Sequence, residues 1–395
     1  MTIPSYDFLA PQRIVFGWGR RREIGSLAAS LGHRAFVVTG SRTLERSGVL
    51  GSLTKSLNAA GVEAIPMGNI SHEPEVADVD RLTAIVQSNQ PRLGDSVIGI
   101  GGGSAIDLAK AVAAMATQRA SGTVADYLEG VGRGLSIIEP PLPMLAMPTT
   151  AGTGSEATKN AVISSYDPPF KKSLRSDSMV PRIVLIDPEL SSSMPAEVTK
   201  HCGMDAITQL IESYISARAK PIPQALAIQG LQWALPAIQE AVSNGQNRSA
   251  REAMAHAALL SGLALANSGL GLAHAVAAAL GAHCRVPHGL ACAVMLPVAL
   301  RINRGVAMSG LATLGRATCL DDEQGNPHDD GAADEFIEHV VSITRTLEIP
   351  TRLRDLGVAQ DQIAKLVEGS HGNSLAGNPR KLTDAELRDV FSEIW

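Results

Sequence analysis

Residues 97–116, "VIGIGGGSAIDLAKAVAAMA", pass from a β-branched apolar run through three glycines and a serine into a stretch with helical period. A strand that enters a helix across glycines is the repeating unit of an α/β sheet. Glycines also let a backbone come close to a phosphate, and the N–H groups opening the following helix favour negative charge. The same residues have a second reading: Ser104 followed three residues on by Asp107 matches a capped, purely structural turn. The spacing is not the G-x-G-x-x-G of the common dinucleotide fingerprint, which is also absent after the first strand-like run.

Outward from this stretch the pattern repeats. "RAFVVTG" (34–40), "VEAIPM" (62–67), "DSVIGIG" (95–101), "PMLAMP" (143–148) and "RIVLID" (182–187) are mostly continuous apolar runs, separated by helical segments such as "EVADVDRLTAIVQSN" (75–89). Continuous rather than alternating hydrophobicity marks strands covered on both faces, so residues 1–189 are predicted to form an α/β domain with a mainly parallel sheet. After Pro188 the strand signals stop, and residues 190–395 are predicted to form an all-α domain. Within the first domain a second polar loop follows a strand. "PTTAGTGSEAT" (148–158) gathers five hydroxyls, and Thr149, Thr150 and Thr153 suit ribose and diphosphate oxygens, or a capped surface turn.

Bulk composition bounds the function. A chain of 395 residues with 45% apolar content fills two cores. With 34 Lys and Arg against 39 Asp and Glu it offers no broad basic field, which argues against nucleic acid and for small-molecule chemistry. The four cysteines, Cys202, Cys284, Cys292 and Cys319, show neither a C-x-x-C pair nor a secretory spacing, so a reducing cytoplasm is expected and a thiolate metal site is not. The start of the chain lacks the pattern of a signal peptide. Residues 257–284 are free of Asp, Glu, Lys and Arg, yet they are rich in Ala and Gly, broken by Asn267 and "NSGLG", and lack aromatic flanks; two buried helices are expected rather than a membrane span.

In the helical half, "GMDAITQLIE" (203–212) places Asp205 and Gln209 one turn apart on one helix side, where they could grip a cation or face water. Further on, "HAVAAALGAHCRVPHG" (274–289) carries His274 and His288. Together with "GGGSAIDLAK", "PTTAGTGSE", "IDPEL" and "NPRKLT" (378–383), all in the same order, these motifs resemble the iron-containing, or group III, alcohol dehydrogenases, which share the dehydroquinate-synthase-like fold. The resemblance covers almost the whole chain. It implies an NAD(P)-dependent and metal-dependent oxidoreductase that interconverts a small alcohol and its aldehyde or ketone, with Asp205, His274 and His288 catalytic and Asp205, Gln209, His274 and His288 holding iron or zinc. It further implies a homodimer or higher homo-oligomer.

Two positions depart from the family pattern. Gln209 stands where the family usually has histidine, and its amide oxygen is a weaker ligand for iron or zinc than imidazole. Ala278 stands where many members have another histidine, assigned to substrate contact or proton relay. The resemblance also places the dinucleotide along Gly40, Ser41, Arg42, Gly101, Gly102, Gly103, Ser104, Asp107, Thr149, Thr150, Thr153 and Lys171. Gly40 replaces the aspartate that would bind the ribose of NAD, and Arg42 can pair with a 2′-phosphate, so NADP is expected in preference to NAD. A metal-independent reductase of the maleylacetate reductase type, a dehydroquinate-synthase-like lyase and a catalytically inactive dinucleotide-binding relative are the alternative readings.

Overall fold

The structure is a computed structural model, and it describes residues 4–40, 42–119, 122–318 and 328–395. Ser41 and Cys319 lie outside the described residues. The chain forms two compact units. One comprises Leu9–Thr150 with Gly154–Ser192; the other comprises Ser193–Trp395 with Met1–Phe8 and Ala151–Thr153.

In the first unit, six strands among the described residues make a parallel sheet: β1 (Arg13–Phe16), β2 (Arg34–Thr39), β3 (Glu63–Asn69), β4 (Asp95–Gly101), β5 (Met144–Pro148) and β8 (Ile183–Ile186), in the order β1-β8-β5-β4-β2-β3. Helices α1 (Ile24–Ala29), α2 (Thr43–Arg46), α3 (Val49–Ala59), α4 (Val76–Ser88) and α5 (Gly103–Met115) belong to the same unit. Successive strand side chains divide between two cores. Phe36, Val38, Val97, Met144 and Ala146 join one with Ile106 and Ala109 of α5, while Ala35, Val37, Ile98, Ile100, Leu145 and Met147 join the other. With period 2 and both faces buried, every position of β4 is buried, which is why its sequence does not alternate.

Two features lack a strong sequence signal. Strand β1 is short and half-exposed at the sheet edge. An antiparallel hairpin, β6 (Asn160–Tyr166) and β7 (Pro169–Arg175), carries Lys171 and Lys172 on a strand with one fully buried position, so neither apolar period marks it.

The second unit is helical: α6 (Ala196–Ile215), α7 (Pro221–Ser243), α8 (Arg248–Asn267), α9 (Leu272–Cys284), α10 (His288–Thr318) and α11 (Asp329–Thr346), followed by the short α12 (Ile363–Gly369), α13 (Asn373–Gly377) and α14 (Asp384–Glu393). The uncharged stretch 257–284 is divided between α8 and α9, which meet at 98° across the predicted break. Gly269 in that break has φ +148°, a backbone state that favours glycine. Both helices are largely buried, as is most of the apolar part of α10. Small residues, chiefly alanine, allow close helix packing, and Leu272, Val276 and Leu280 of α9 share one core with Met295 of α10 and Phe391 of α14.

Candidate functional site

The sheet order reverses direction beside β2: the chain proceeds from β2 to β3 on one side, then returns to place β4 on the other. Ligands of open α/β sheets settle outside the carboxyl ends of strands at such a switch point. Gly40 follows β2 and Gly102–Ser104 follow β4, so both loops open onto it. Gly101 adopts φ +157°, and a Cβ there would lie 2.9 Å from Gly40 Cα. A Cβ on Gly40 would in turn stand 3.1 Å from Gly101 Cα. The two glycines thus permit close backbone packing as well as access for a ligand.

Helix α5 starts after Gly102, and no side chain caps it. The Ser104–Asp107 cap of the alternative, purely structural reading is therefore absent. Asp107 instead accepts a hydrogen bond from Ser155 Oγ and one from the Val162 N–H (3.0 Å), and it pairs with Lys110 (3.1 Å). Its carboxylate fastens the hydroxyl-rich loop to α5. Thr149 N donates to Gly101 O (2.9 Å), and a Cβ on Gly102 would lie 3.2–3.3 Å from the Thr150 γ atoms, so the two loops lie side by side. Thr153 falls in the helical unit's share of the chain. Arg42 is exposed at the start of α2, and Lys171 on β7 pairs with Glu73 at 2.6 Å.

Beneath the loop lies a buried charge cluster that the sequence patterns did not single out. Lys110 Nζ donates to Ser155 O and Thr158 Oγ1, both at 2.8 Å, and to Asn160 O. Nearby Glu156 is buried, and desolvation pushes its carboxyl up to about 7, although Lys110 pulls the other way. A carboxyl whose folded pKa lies above its unfolded value stabilises the fold most below the unfolded pKa, near 4.5, and loses that contribution as pH rises through about 7. Glu156→Gln should therefore gain stability relative to the parent between those values, reaching on the order of 3 kcal/mol at pH 8. Chemical denaturation of both proteins from pH 4 to 8 checks this; parallel profiles would refute the assignment.

In the helical unit, Asp205, Gln209 and Glu212 follow at i, i+4 and i+7 on α6, all of them buried. Asp205 Oδ1 lies 3.2 Å from His274 Nε2 and 3.8 Å from His288 Nε2. Cys292, one turn beyond His288 on α10, brings its Sγ to 3.7 Å from His288 Nε2. Among the described residues, Asp205, His274, His288 and Cys292 form a group with donor atoms all within 4.8 Å of one another. Gln209 Oε1 accepts a hydrogen bond from Ser261 Oγ at 2.7 Å.

Glu212 and Cys292 were not anticipated. Glu212 accepts from the N–H groups of Gly271 (2.9 Å) and Ala273 (2.6 Å), satisfying the start of α9, and its Oε2 meets His274 Nδ1 at 2.7 Å. Nδ1 of His274 faces Glu212 and Nε2 faces Asp205; a carboxylate on Nδ1 is the arrangement that orients a metal-binding imidazole, whose Nε2 would give up its proton to an arriving cation. The electrostatics agree. Burial works to raise the Asp205 carboxyl, but His288 and His274 hold it below its ordinary value. Burial likewise opposes a charge on His274, yet Cys292, Asp205 and Glu212 raise it well above the usual imidazole value. The pocket attracts positive charge.

The donors fit a divalent ion. Four ligands at about 2.0–2.3 Å around a tetrahedral centre stand about 3.3–3.8 Å apart. The Asp205–His274, Asp205–His288 and His288–Cys292 separations of 3.2, 3.8 and 3.7 Å lie close to that range, and all four donors lie within 4.8 Å of one another.

Similarity to known proteins extends over the whole chain. The family model described as "Iron-containing alcohol dehydrogenase" matches residues 11–188, and that described as "Fe-containing alcohol dehydrogenase family, C-terminal" matches 199–395. The probable alcohol dehydrogenase EutG of Escherichia coli (strain K12) is 33% identical, over 98% of this chain and 93% of its own length. The NADPH-dependent butanol dehydrogenase of Clostridium saccharobutylicum is 28% identical, over 98% of this chain and 97% of its own. A solved structure, sulfoacetaldehyde reductase from Bifidobacterium kashiwanohense in complex with NAD+, superposes with a TM-score of 0.87 at 29% identity, covering 99% of each chain.

Proposed function

The chain belongs to the iron-containing alcohol dehydrogenase family, and on that premise we propose that it passes hydride between nicotinamide C4 of NADP and the carbon of a small alcohol or its aldehyde, beside a divalent metal held by Asp205, His274 and His288. The observation that carries this reading is the buried donor cluster backed by Glu212. It favours a metal-dependent enzyme over a metal-independent reductase or a bare dinucleotide-binding relative. When bound, such a metal polarises the carbonyl as a Lewis acid.

The chain's own groups do the rest. Asp205 supplies negative charge where the cation sits, and Glu212 keeps His274 in the tautomer that leaves Nε2 available. Backbone N–H groups at the start of α5 receive the diphosphate, with Gly101, Gly102 and Gly103 admitting it closely and Thr149 and Thr150 beside it. Asp107 holds the second loop in register. Lys171 stands near the nicotinamide ribose, as the family resemblance implies. Reduction consumes the aldehyde, NADPH and one proton and yields the alcohol and NADP. Ala278, half-buried on α9, carries no titratable group to relay that proton.

NADP preference rests on Gly40 and Arg42. Because a Cβ on Gly40 crowds Gly101, an aspartate at position 40 would disturb the diphosphate loop along with the charge, so Arg42 gives the cleaner test. Arg42→Ala should weaken NADPH by roughly 10-fold or more while NADH changes little, as expected for one charge-assisted contact. Equal losses, measured as KM for each cofactor, would refute the role. Steady-state oxidation of NADPH with a panel of small aldehydes, on protein purified without chelator and assayed for metal, tests the function as a whole. We further propose a cytoplasmic homodimer or larger homo-oligomer, which light scattering on the purified protein would check.

A further inference from the structure

We propose that the metal centre is completed by the thiolate of Cys292, with Gln209 as its neighbour and not its fourth ligand. This rests on the metal-dependent reading above. Four observations point the same way. Cys292 is fully buried, and its Sγ belongs to the same donor group as Asp205, His274 and His288. It is fixed by helix geometry, since positions 288 and 292 lie one turn apart on α10 and project to one side, the relation that Asp205 and Gln209 share on α6. The separation from Sγ to His288 Nε2, 3.7 Å, is the length of an edge between two ligands of one tetrahedral ion. Finally, the Gln209 amide oxygen is already engaged by Ser261 Oγ, which fastens it to α8.

Nothing else about the position requires sulfur. The surrounding α9–α10 core is built chiefly of Ala, Leu, Val and Met, and an alanine at 292 would keep it apolar without setting a nucleophile among two imidazoles and a carboxylate. On metal binding the Sγ–H bond breaks, its proton passes to solvent, and the thiolate lone pair forms the bond to the cation. A soft donor replaces the imidazole that the family resemblance places at 209. The chemical consequence is a shift in preference from ferrous iron toward zinc or cobalt, because thiolate favours the later and softer ions.

The test replaces the bound metal with Co(II) and reads its spectrum. Visible d–d bands report that cobalt occupies a low-coordinate site, and a near-ultraviolet sulfur-to-cobalt charge-transfer band reports a thiolate ligand. The proposal predicts both in the parent protein, retention of the charge-transfer band in Gln209→Ala, and its loss in Cys292→Ser, with zinc affinity falling by at least about tenfold in the serine variant. In direct competition the parent should take zinc over Fe(II). Cobalt d–d bands without a charge-transfer band would overturn the thiolate ligand and leave the metal reading standing. Failure of the parent to bind cobalt or zinc at all would overturn both. The parent spectrum alone decides if the serine variant does not fold.

Discussion

Replacing His274 with alanine removes bound metal and aldehyde reduction together, while NADPH still binds. His274 is the residue through which the two halves of the centre meet: Nε2 lies 3.2 Å from Asp205 and Nδ1 lies 2.7 Å from Glu212. Without the imidazole, the ion loses one donor and Glu212 loses the group it orients. The two buried carboxylates also lose the positive partner between them, so the variant is expected to be less stable. Losing Lewis-acid stabilisation worth several kcal/mol corresponds to at least about a 1,000-fold fall in kcat/KM. Elemental analysis, turnover and NADPH fluorescence on the same folded sample check the three parts of this result. Stoichiometric metal or parental turnover in His274→Ala would remove His274 from the centre. On the proposed reading the dinucleotide survives because most of its seat, Gly40, Gly101–Ser104 and Thr149–Thr150, belongs to the α/β unit.

The converse separation is expected at Gly102. Its backbone, φ −73° and ψ −174°, is accessible to any residue, so Gly102→Val is not excluded by conformation. The side chain is the obstacle. Cβ alone would stand 3.2–3.3 Å from the Thr150 γ atoms, and the two further methyl groups of valine would occupy the approach to the first N–H groups of α5. Affinity for NADP should fall by at least about 100-fold, since it depends on charge-assisted bonds from backbone groups that no longer reach the diphosphate. Metal content should remain that of the parent, and the thermal midpoint should move only by a few degrees, about what 1 kcal/mol produces in a chain this long. Unchanged NADP affinity would make the glycines a structural turn.

The parts of this molecule that were legible in its sequence are those where one physical constraint acts alone. Strands β2, β4, β5 and β8 are covered on both faces, so their apolar runs are uninterrupted. The sharp break between α8 and α9 is written in "NSGLG". Hairpin β6–β7 was hidden because β7 is only partly buried and its lysines are polar. At the proposed metal centre the sequence motifs named Asp205, Gln209, His274 and His288, but Glu212 and Cys292 became visible only once α6, α9 and α10 were seen to converge. Their signals were present: Glu212 lies seven residues after Asp205 and Cys292 four after His288, both helical repeats of a named residue. The even scatter of the cysteines concealed the second. Asp107 stood in the phosphate loop's helix, yet its partners Ser155 and Val162 show a carboxylate that holds two loops together, which spacing could not reveal.

Aldehyde reduction by this chain, as proposed, requires a metal among Asp205, His274 and His288. Protein purified without chelator, then stripped of divalent ions, and then supplied with one equivalent of Zn2+ or Co2+ should lose NADPH-dependent aldehyde reduction on stripping and regain it on addition, with NADPH affinity constant throughout. Full reductase activity in the stripped protein would contradict it.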